Sequence, residues 1–358
     1  MLGRDGFLGG AALLLIAACG SGGYEAPPPT RAVTAEEIAE AEAYLAQQTP
    51  LPANWTFNAV PFEDEGDLRV GLAAPDEPSA TVMLVPGYTS SPEVASDLIA
   101  DWYSRGIEVA SLDLPGQGGS VRRSDDYQKP YTGDYSLYGR SVDEALRYVA
   151  ANRVSDGPLV VMGSSFGGAS VLRSLADGLL EEADGVFLMA PAVAPALDQP
   201  TFLVKWSLGG EVRAGRGANY LDGQGPWQPE NVDEYDFTYC GNRPERNYKN
   251  KSYNITRPEM RVGGVTHEWA LGMITSGEKL LRDPEITGFE KPVAMVTAGL
   301  EVIVNNEPAH ELCEEGLSTC ELVHMPEATH CFVAEDAATQ RAVGDALMSL
   351  VARARSER

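Results

Sequence analysis

The chain has 358 residues, with 52 acidic against 27 basic side chains and a formal net charge of −25. Such acidity argues against nucleic acid as a partner, because phosphates need a basic surface, and it disfavours tight docking on anionic headgroups. The length suits one large core with an insertion rather than two unrelated domains, and there is no internal repeat.

Residues 8–18 form an apolar run too short to span a bilayer, preceded by Arg4. The run ends Leu15-Ile16-Ala17-Ala18-Cys19, which resembles a bacterial lipobox. The reading is a signal peptide over residues 1–18, with Cys19 lipidated and anchoring the chain to a membrane. Losing residues 1–18 leaves the charge unchanged, since Arg4 and Asp5 cancel. Residues 19–33, rich in Gly, Ser and Pro, read as a tether. Gly20 after Cys19 points, by analogy with lipoprotein sorting, to the outer membrane facing the periplasm.

Thr34 and Glu37 form a capping-box pattern that opens a short helix, with Ile38, Ala41 and Leu45 on one face. Residues 55–62 and 68–73 read as two early, antiparallel strands. From residue 81 strands and helices alternate: strands over 81–85, 108–112, 158–162 and 186–189, helices over 96–104, 137–151 and 166–180. The expected fold class is α/β, a doubly wound and mostly parallel sheet with its site at the strand C-terminal ends. Residues 34–190 and 291–358 make the core. Residues 191–290, rich in Gly, Asn, Tyr and Trp, interrupt the alternation and read as a cap insertion. Trp206, Trp227, Tyr235, Phe237, Tyr239, Trp269 and Met273 are candidates to line an acyl pocket there. Beyond the cap come a strand over 295–299, a helix over 305–315, a strand over 321–325 and a last helix over 336–352.

The strand at 158–162 runs straight into Gly163-Ser164-Ser165-Phe166-Gly167, and a helix pattern follows at once. This is the strand–turn–helix context in which a serine hydroxyl is pushed out of a sheet as a nucleophile. A serine needs a base within hydrogen-bond reach, and the base needs an orienting acid. Of the four histidines, His267, His310, His324 and His330, only His330 lies in a loop after a late strand and before the last helix. His324 falls inside a strand as a packing residue, and His310 falls on a helix surface. Glu301 lies just past the preceding strand and is the acid candidate, ahead of Asp198 and Glu307. Asp113 also ends a strand but precedes Ser165, and is read as fixing the turn at 116–119. The loop Pro86-Gly87-Tyr88-Thr89 after the strand at 81–85 is placed to donate to an oxyanion, through the amides of Tyr88 and Phe166.

Leu84-Val85-Pro86-Gly87, the run Asp113-Leu114-Pro115-Gly116-Gln117-Gly118-Gly119-Ser120, the Ser165 motif, Glu301 to Asn306 and the His330 loop together resemble the bacterial lysophospholipase and monoacylglycerol lipase group of serine α/β-hydrolases. Arg261 to Trp269 resembles a stretch that bacterial lysophospholipases carry in the cap. The resemblance runs from about residue 81 to the C-terminus and implies an α/β-hydrolase fold with Ser165, Glu301 and His330 as the triad. Pro-Gly in place of His-Gly, and Glu in place of Asp as the acid, resemble the lysophospholipase branch. The implied activity is hydrolysis of a lipid ester, a lysophospholipid or monoacylglycerol, without a cofactor; Trp269, His267 and Trp206 are candidates to touch it. An aminopeptidase or general carboxylesterase is the enzymatic alternative. The former would use the acidic residues Glu230, Asp233, Glu234 and Asp236 to hold a substrate amine. A lipid-binding envelope lipoprotein without turnover is the alternative of a different class.

Four cysteines follow Cys19: Cys240, Cys313, Cys320 and Cys331. In an oxidising compartment they allow two disulfides. Cys313 and Cys320 flank a helix-to-strand turn and are placed to meet; Cys240 with Cys331 is one option for the rest. No Cys or His spacing in the sequence suits a metal. Oligomeric state is not legible.

Overall fold

The computed structural model describes residues 31–122, 126–229, 240–241 and 244–358. Chain order begins with α1 (Ala35–Leu45), β1 (Thr56–Phe62), β2 (Gly66–Ala73), β3 (Ala80–Val85), α2 (Ser96–Ser104) and β4 (Ile107–Leu112). It continues through α3 (Tyr135–Asn152), β5 (Leu159–Ser164), α4 (Phe166–Ala176) and β6 (Gly185–Met189). Among the described residues, four α-helices separate β6 from the next strand: α5 (Thr201–Arg213), α6 (Pro244–Thr256), α7 (His267–Leu280) and α8 (Pro284–Thr287). The chain ends with β7 (Val293–Leu300), α9 (Asn306–Glu311), β8 (Cys320–Thr329) and α10 (Ala337–Ser356).

Among the described residues, eight strands form one sheet in the order β1-β2-β4-β3-β5-β6-β7-β8. β1 and β2 pair antiparallel, β2 meets β4 antiparallel, and every later pairing is parallel. Strand side chains alternate between faces, so both faces of a central parallel strand must be apolar. Met83, Val85, Val161 and Leu188 pack one face with Tyr138, Val142 and Leu146 of α3 and Val171 and Leu172 of α4. Val82, Leu84, Val160 and Phe187 pack the other with Leu98 and Trp102 of α2 and Leu347 and Leu350 of α10. Each such side chain contributes about 1.5–3 kcal/mol on burial, so the two layers fix the strand ends that carry the site.

Helix ends follow local chemistry. The Thr34 hydroxyl accepts from the Glu37 amide while the Glu37 carboxylate accepts from the Thr34 amide, closing the capping box. The Asp336 carboxylate caps α10 through the amides of Ala338 and Thr339 at 3.0 and 2.8 Å, and Arg353 and Arg355 sit in its last turn. The helix expected over 305–315 stops at Glu311 and gives way to a π-type turn, Leu312–Gly316. Cys313, inside that turn, is disulfide-bonded to Cys320 at the start of β8, with Cα atoms 5.3 Å apart.

Candidate functional site

Ser165 stands between β5 and α4 with φ +50° and ψ −116°. A non-glycine residue avoids this left-handed region unless its surroundings hold it there. Here the Ser165 amide donates to the Met189 carbonyl at the end of β6 at 2.9 Å, and its carbonyl accepts from Ala192 at 2.9 Å and Ala169 at 3.1 Å. Gly167 makes the turn possible, because a Cβ there would lie 2.0 Å from the Val85 carbonyl oxygen. Ser165 is half-buried, open enough to meet a substrate.

β8 extends four residues beyond the expected strand and delivers His330 at its end. His330 Nε2 lies 2.8 Å from Ser165 Oγ, and Nδ1 lies 2.7 Å from Glu301 Oε2. With the Nδ1 proton donated to Glu301, Nε2 is free to accept the serine proton. Glu301 follows β7, and its second oxygen accepts from the amides of Ile303 at 2.8 Å and Val304 at 3.1 Å. Burial pushes this carboxyl up, but the His330 hydrogen bond and charge, with the two amides, outweigh it and hold it below its ordinary value. Asp198 and Glu307 are both exposed.

The His330 loop is pinned from both sides. The Thr329 amide and hydroxyl donate to Oε1 of the fully buried Glu335, at 2.8 and 2.6 Å. The Gly241 amide donates to the Thr329 hydroxyl at 2.5 Å. Cys331, next to His330, is disulfide-bonded to Cys240. Nothing in the sequence pattern marks Glu335 as the anchor of this loop.

The Pro86–Thr89 loop passes directly over the serine. A Cβ on Gly87 would lie 3.2 Å from Ser165 Cβ and 3.8 Å from Oγ. Among the described residues neither the Tyr88 nor the Phe166 amide has an acceptor, so both donors are free at this end of the sheet. Below them the rings of Tyr88, Phe166, Tyr135, Tyr138 and Trp269 stack edge-on or tilted, with centroids 4.9–6.0 Å apart. On the acid side Ala169, Ala192, Val304, Ile303 and Met273 form a small aliphatic patch. Trp269 and Met273 are one turn apart on α7, so one helix flanks the site with apolar surface on both sides.

The remaining candidates fall elsewhere. Trp206 is 74% exposed on α5 beside exposed Phe202, so it does not line an enclosed pocket; α5 buries the face carrying Val204 and Leu208 instead. The His267 ring bonds the Asn219 carbonyl at 3.1 Å, in the first turn of α7. His310 is not simply on the surface, since it shares the Thr297 hydroxyl with His324, at 2.9 and 3.0 Å. Asp113 accepts from the Gly119 amide at 2.9 Å and pairs with Arg69, whose guanidinium also grips Glu93. Cys19, Glu230, Asp233, Glu234, Tyr235, Asp236, Phe237 and Tyr239 lie outside the described residues.

Comparison with known proteins agrees with this geometry. Lysophospholipase L2 of Escherichia coli K12 is 26% identical over 239 residues, 65% of this chain and 67% of that protein. A soluble variant of monoglyceride lipase from Saccharomyces cerevisiae superposes with a TM-score of 0.62 at 14% identity, covering 87% of this chain and 98% of that one. Monoacylglycerol lipase of Paleococcus ferrophilus gives 0.59 at 17% identity, covering 79% and 99%. These two likenesses establish the α/β-hydrolase fold. The family described as Hydrolase_4, serine aminopeptidase, S33, matches residues 76–337, and the chain belongs to it as a serine hydrolase.

Proposed function

We propose that this hydrolase cleaves carboxylic esters of single-chain lipids, a lysophospholipid or a monoacylglycerol, through an acyl-enzyme on Ser165. The observation that carries the reading is the continuous hydrogen-bond chain Ser165–His330–Glu301, beside loops whose Tyr88 and Phe166 amides have no acceptor among the described residues. The substrate class is supported by the similarity to lysophospholipase L2 and by the apolar flanks that α7 helps to build.

His330 Nε2 takes the Ser165 proton as Oγ attacks the ester carbonyl. The oxyanion is held by the amides of Tyr88 and Phe166, whose alignment before the reaction is the source of the stabilisation. His330 then gives its proton to the leaving alcohol, afterwards takes one from the water that attacks the acyl carbonyl, and returns it to Ser165 Oγ as the Oγ–acyl bond breaks and the free acid leaves. Glu301 stays ionised and stabilises the imidazolium without taking its proton. Residues 191–290 act as the cap over Ser165. A lipid on Cys19 holds the enzyme at the outer membrane, facing the periplasm.

A second reading, aminopeptidase, is favoured by the family's description. A substrate panel with protein starting after Cys19 separates the two. It contains p-nitrophenyl esters, lysophosphatidylcholine, a monoacylglycerol and aminoacyl p-nitroanilides. The lipid-ester reading expects turnover of the single-chain lipids and none of the anilides; the reverse pattern rejects it.

A further inference from the structure

We propose that Gln117 and Asn250 are positioning residues that hold the Tyr88 amide in its oxyanion-binding orientation by gripping Thr89 from opposite sides. The inference rests on Ser165 being the nucleophile, as above. Thr89 follows Tyr88 directly and has φ +62°, a left-handed conformation that a β-branched residue adopts only under constraint. Its amide donates to Gln117 Oε1 at 2.5 Å, and its carbonyl accepts from Asn250 Nδ2 at 3.2 Å. The two grips come from different parts of the chain, the loop after β4 and helix α6.

Neither grip is loose. Gln117 is 3% exposed and sits between Gly116 and Gly118, both left-handed, at φ +84° and +49°. The turn is fastened from behind by the Asp113 carboxylate on the Gly119 amide and by the Ser120 hydroxyl on the Asp113 carbonyl, at 2.9 and 2.5 Å. The Tyr88 phenol, kept protonated by burial, donates to the Gly263 carbonyl at 3.0 Å. Tyr88 is therefore held at its ring and Thr89 at both peptide groups. Without the Gln117 acceptor the constraint on Thr89 is lost; the backbone relaxes to negative φ and turns the preceding amide away from Ser165. An amide aimed at the oxyanion binds the neutral carbonyl less strongly than the charged oxygen, so the loss falls mainly on the transition state.

The test uses Gln117→Leu, Asn250→Ala, Thr89→Gly and Gln117→Leu with Thr89→Gly. The readouts are kcat and KM on p-nitrophenyl butyrate, inhibition by an alkyl trifluoromethyl ketone whose adduct carries an oxyanion, and thermal melting. Fluorophosphonate labelling of Ser165 in the wild type checks the underlying reading separately. Removing an oxyanion donor costs about 10²–10³ in kcat, and a displaced donor is expected to cost about ten- to a hundredfold. Gln117→Leu should lose that much kcat with KM within about threefold, and ketone affinity should fall in parallel. Asn250→Ala should show the same pattern more weakly. Thr89→Gly should restore part of the loss in the Gln117→Leu background, because glycine takes left-handed φ without cost. If Gln117→Leu fails to fold, Asn250→Ala carries the same test. Near-normal kcat in the folded variants, a loss appearing mainly in KM, or no rescue by Thr89→Gly overturns the proposal.

Discussion

Cys331, the residue after His330, is bonded to Cys240, 91 residues earlier in the chain and inside the segment between β6 and β7. The His-bearing loop is therefore covalently tied to the proposed cap, while Glu335 holds the same loop to the core through Thr329. The Cys313–Cys320 bond closes a loop of only 7 residues away from the triad.

These two bonds should differ in consequence. On loop-entropy grounds, removing the Cys240–Cys331 bond costs about 4–5 kcal/mol and removing Cys313–Cys320 about 2–3 kcal/mol. Paired Cys→Ser variants compared by urea denaturation should rank in that order. Only the first pair should also lower kcat, since only it borders His330. Equal stability losses, or an unchanged kcat in Cys240→Ser with Cys331→Ser, would contradict this.

Glu301→Gln should lower kcat by about 10⁴, the loss that neutralising the orienting carboxylate produces in a known serine triad. Asp198→Asn should leave it within about twofold, since Asp198 is exposed. The reverse ranking would move the acid to Asp198.

The Glu301 carboxyl also sets a pH dependence. Its folded-state pKa lies below its ordinary value of 4.5, so the native state binds this proton less readily than the unfolded chain. Its contribution to stability is fully present above 4.5 and is lost as pH falls through the folded-state value. The stability difference between wild type and Glu301→Gln, measured by urea titration, should shrink as pH falls below about 4.5. A difference that grows on acidification would mean that the shift has the opposite sign.

Much of this was legible because the signals are local. A strand, Gly-x-Ser-x-Gly and a helix are contiguous from Leu159 to Ala176, and the Thr34–Glu37 box is complete within four residues. The positions of Glu301 and His330 follow from counting strand ends in an α/β alternation. The bonds on Thr89 were not legible, since they join residues 28 and 161 positions apart and depend on which loops meet. The outward face of α5 was missed for a related reason: residue type marks Trp206 as apolar, but only packing decides which face of a helix is covered. The paired glycines around Gln117 were the one sequence sign that its side chain is aimed by a fixed turn.

Arg69→Met should destabilise the fold by about 3–5 kcal/mol, because it leaves the Asp113 carboxylate buried without its cation while Glu93 keeps Arg257 at 3.2 Å. Asp113 and Glu93 are 1% and 3% exposed, and Arg69 pairs with both. Burial already pushes the Asp113 carboxyl up even with Arg69 beside it. Urea denaturation checks the cost; a loss under about 1 kcal/mol would show that these charges are not held by the pair.

Cys19→Ala should abolish incorporation of a fatty-acid probe in bacterial cells expressing the chain. It should also leave an unprocessed N-terminus. Equal labelling of both forms would remove Cys19 as the lipidation site.

The central claim is that Ser165, activated by His330, is the nucleophile. The most direct measurement is peptide mapping by mass spectrometry after exposure to a fluorophosphonate, which phosphonylates only an activated serine. The account predicts one adduct, on the peptide carrying Ser165, absent in Ser165→Ala and slowed by orders of magnitude in His330→Ala. An adduct on another residue, or undiminished labelling of Ser165→Ala, would contradict it.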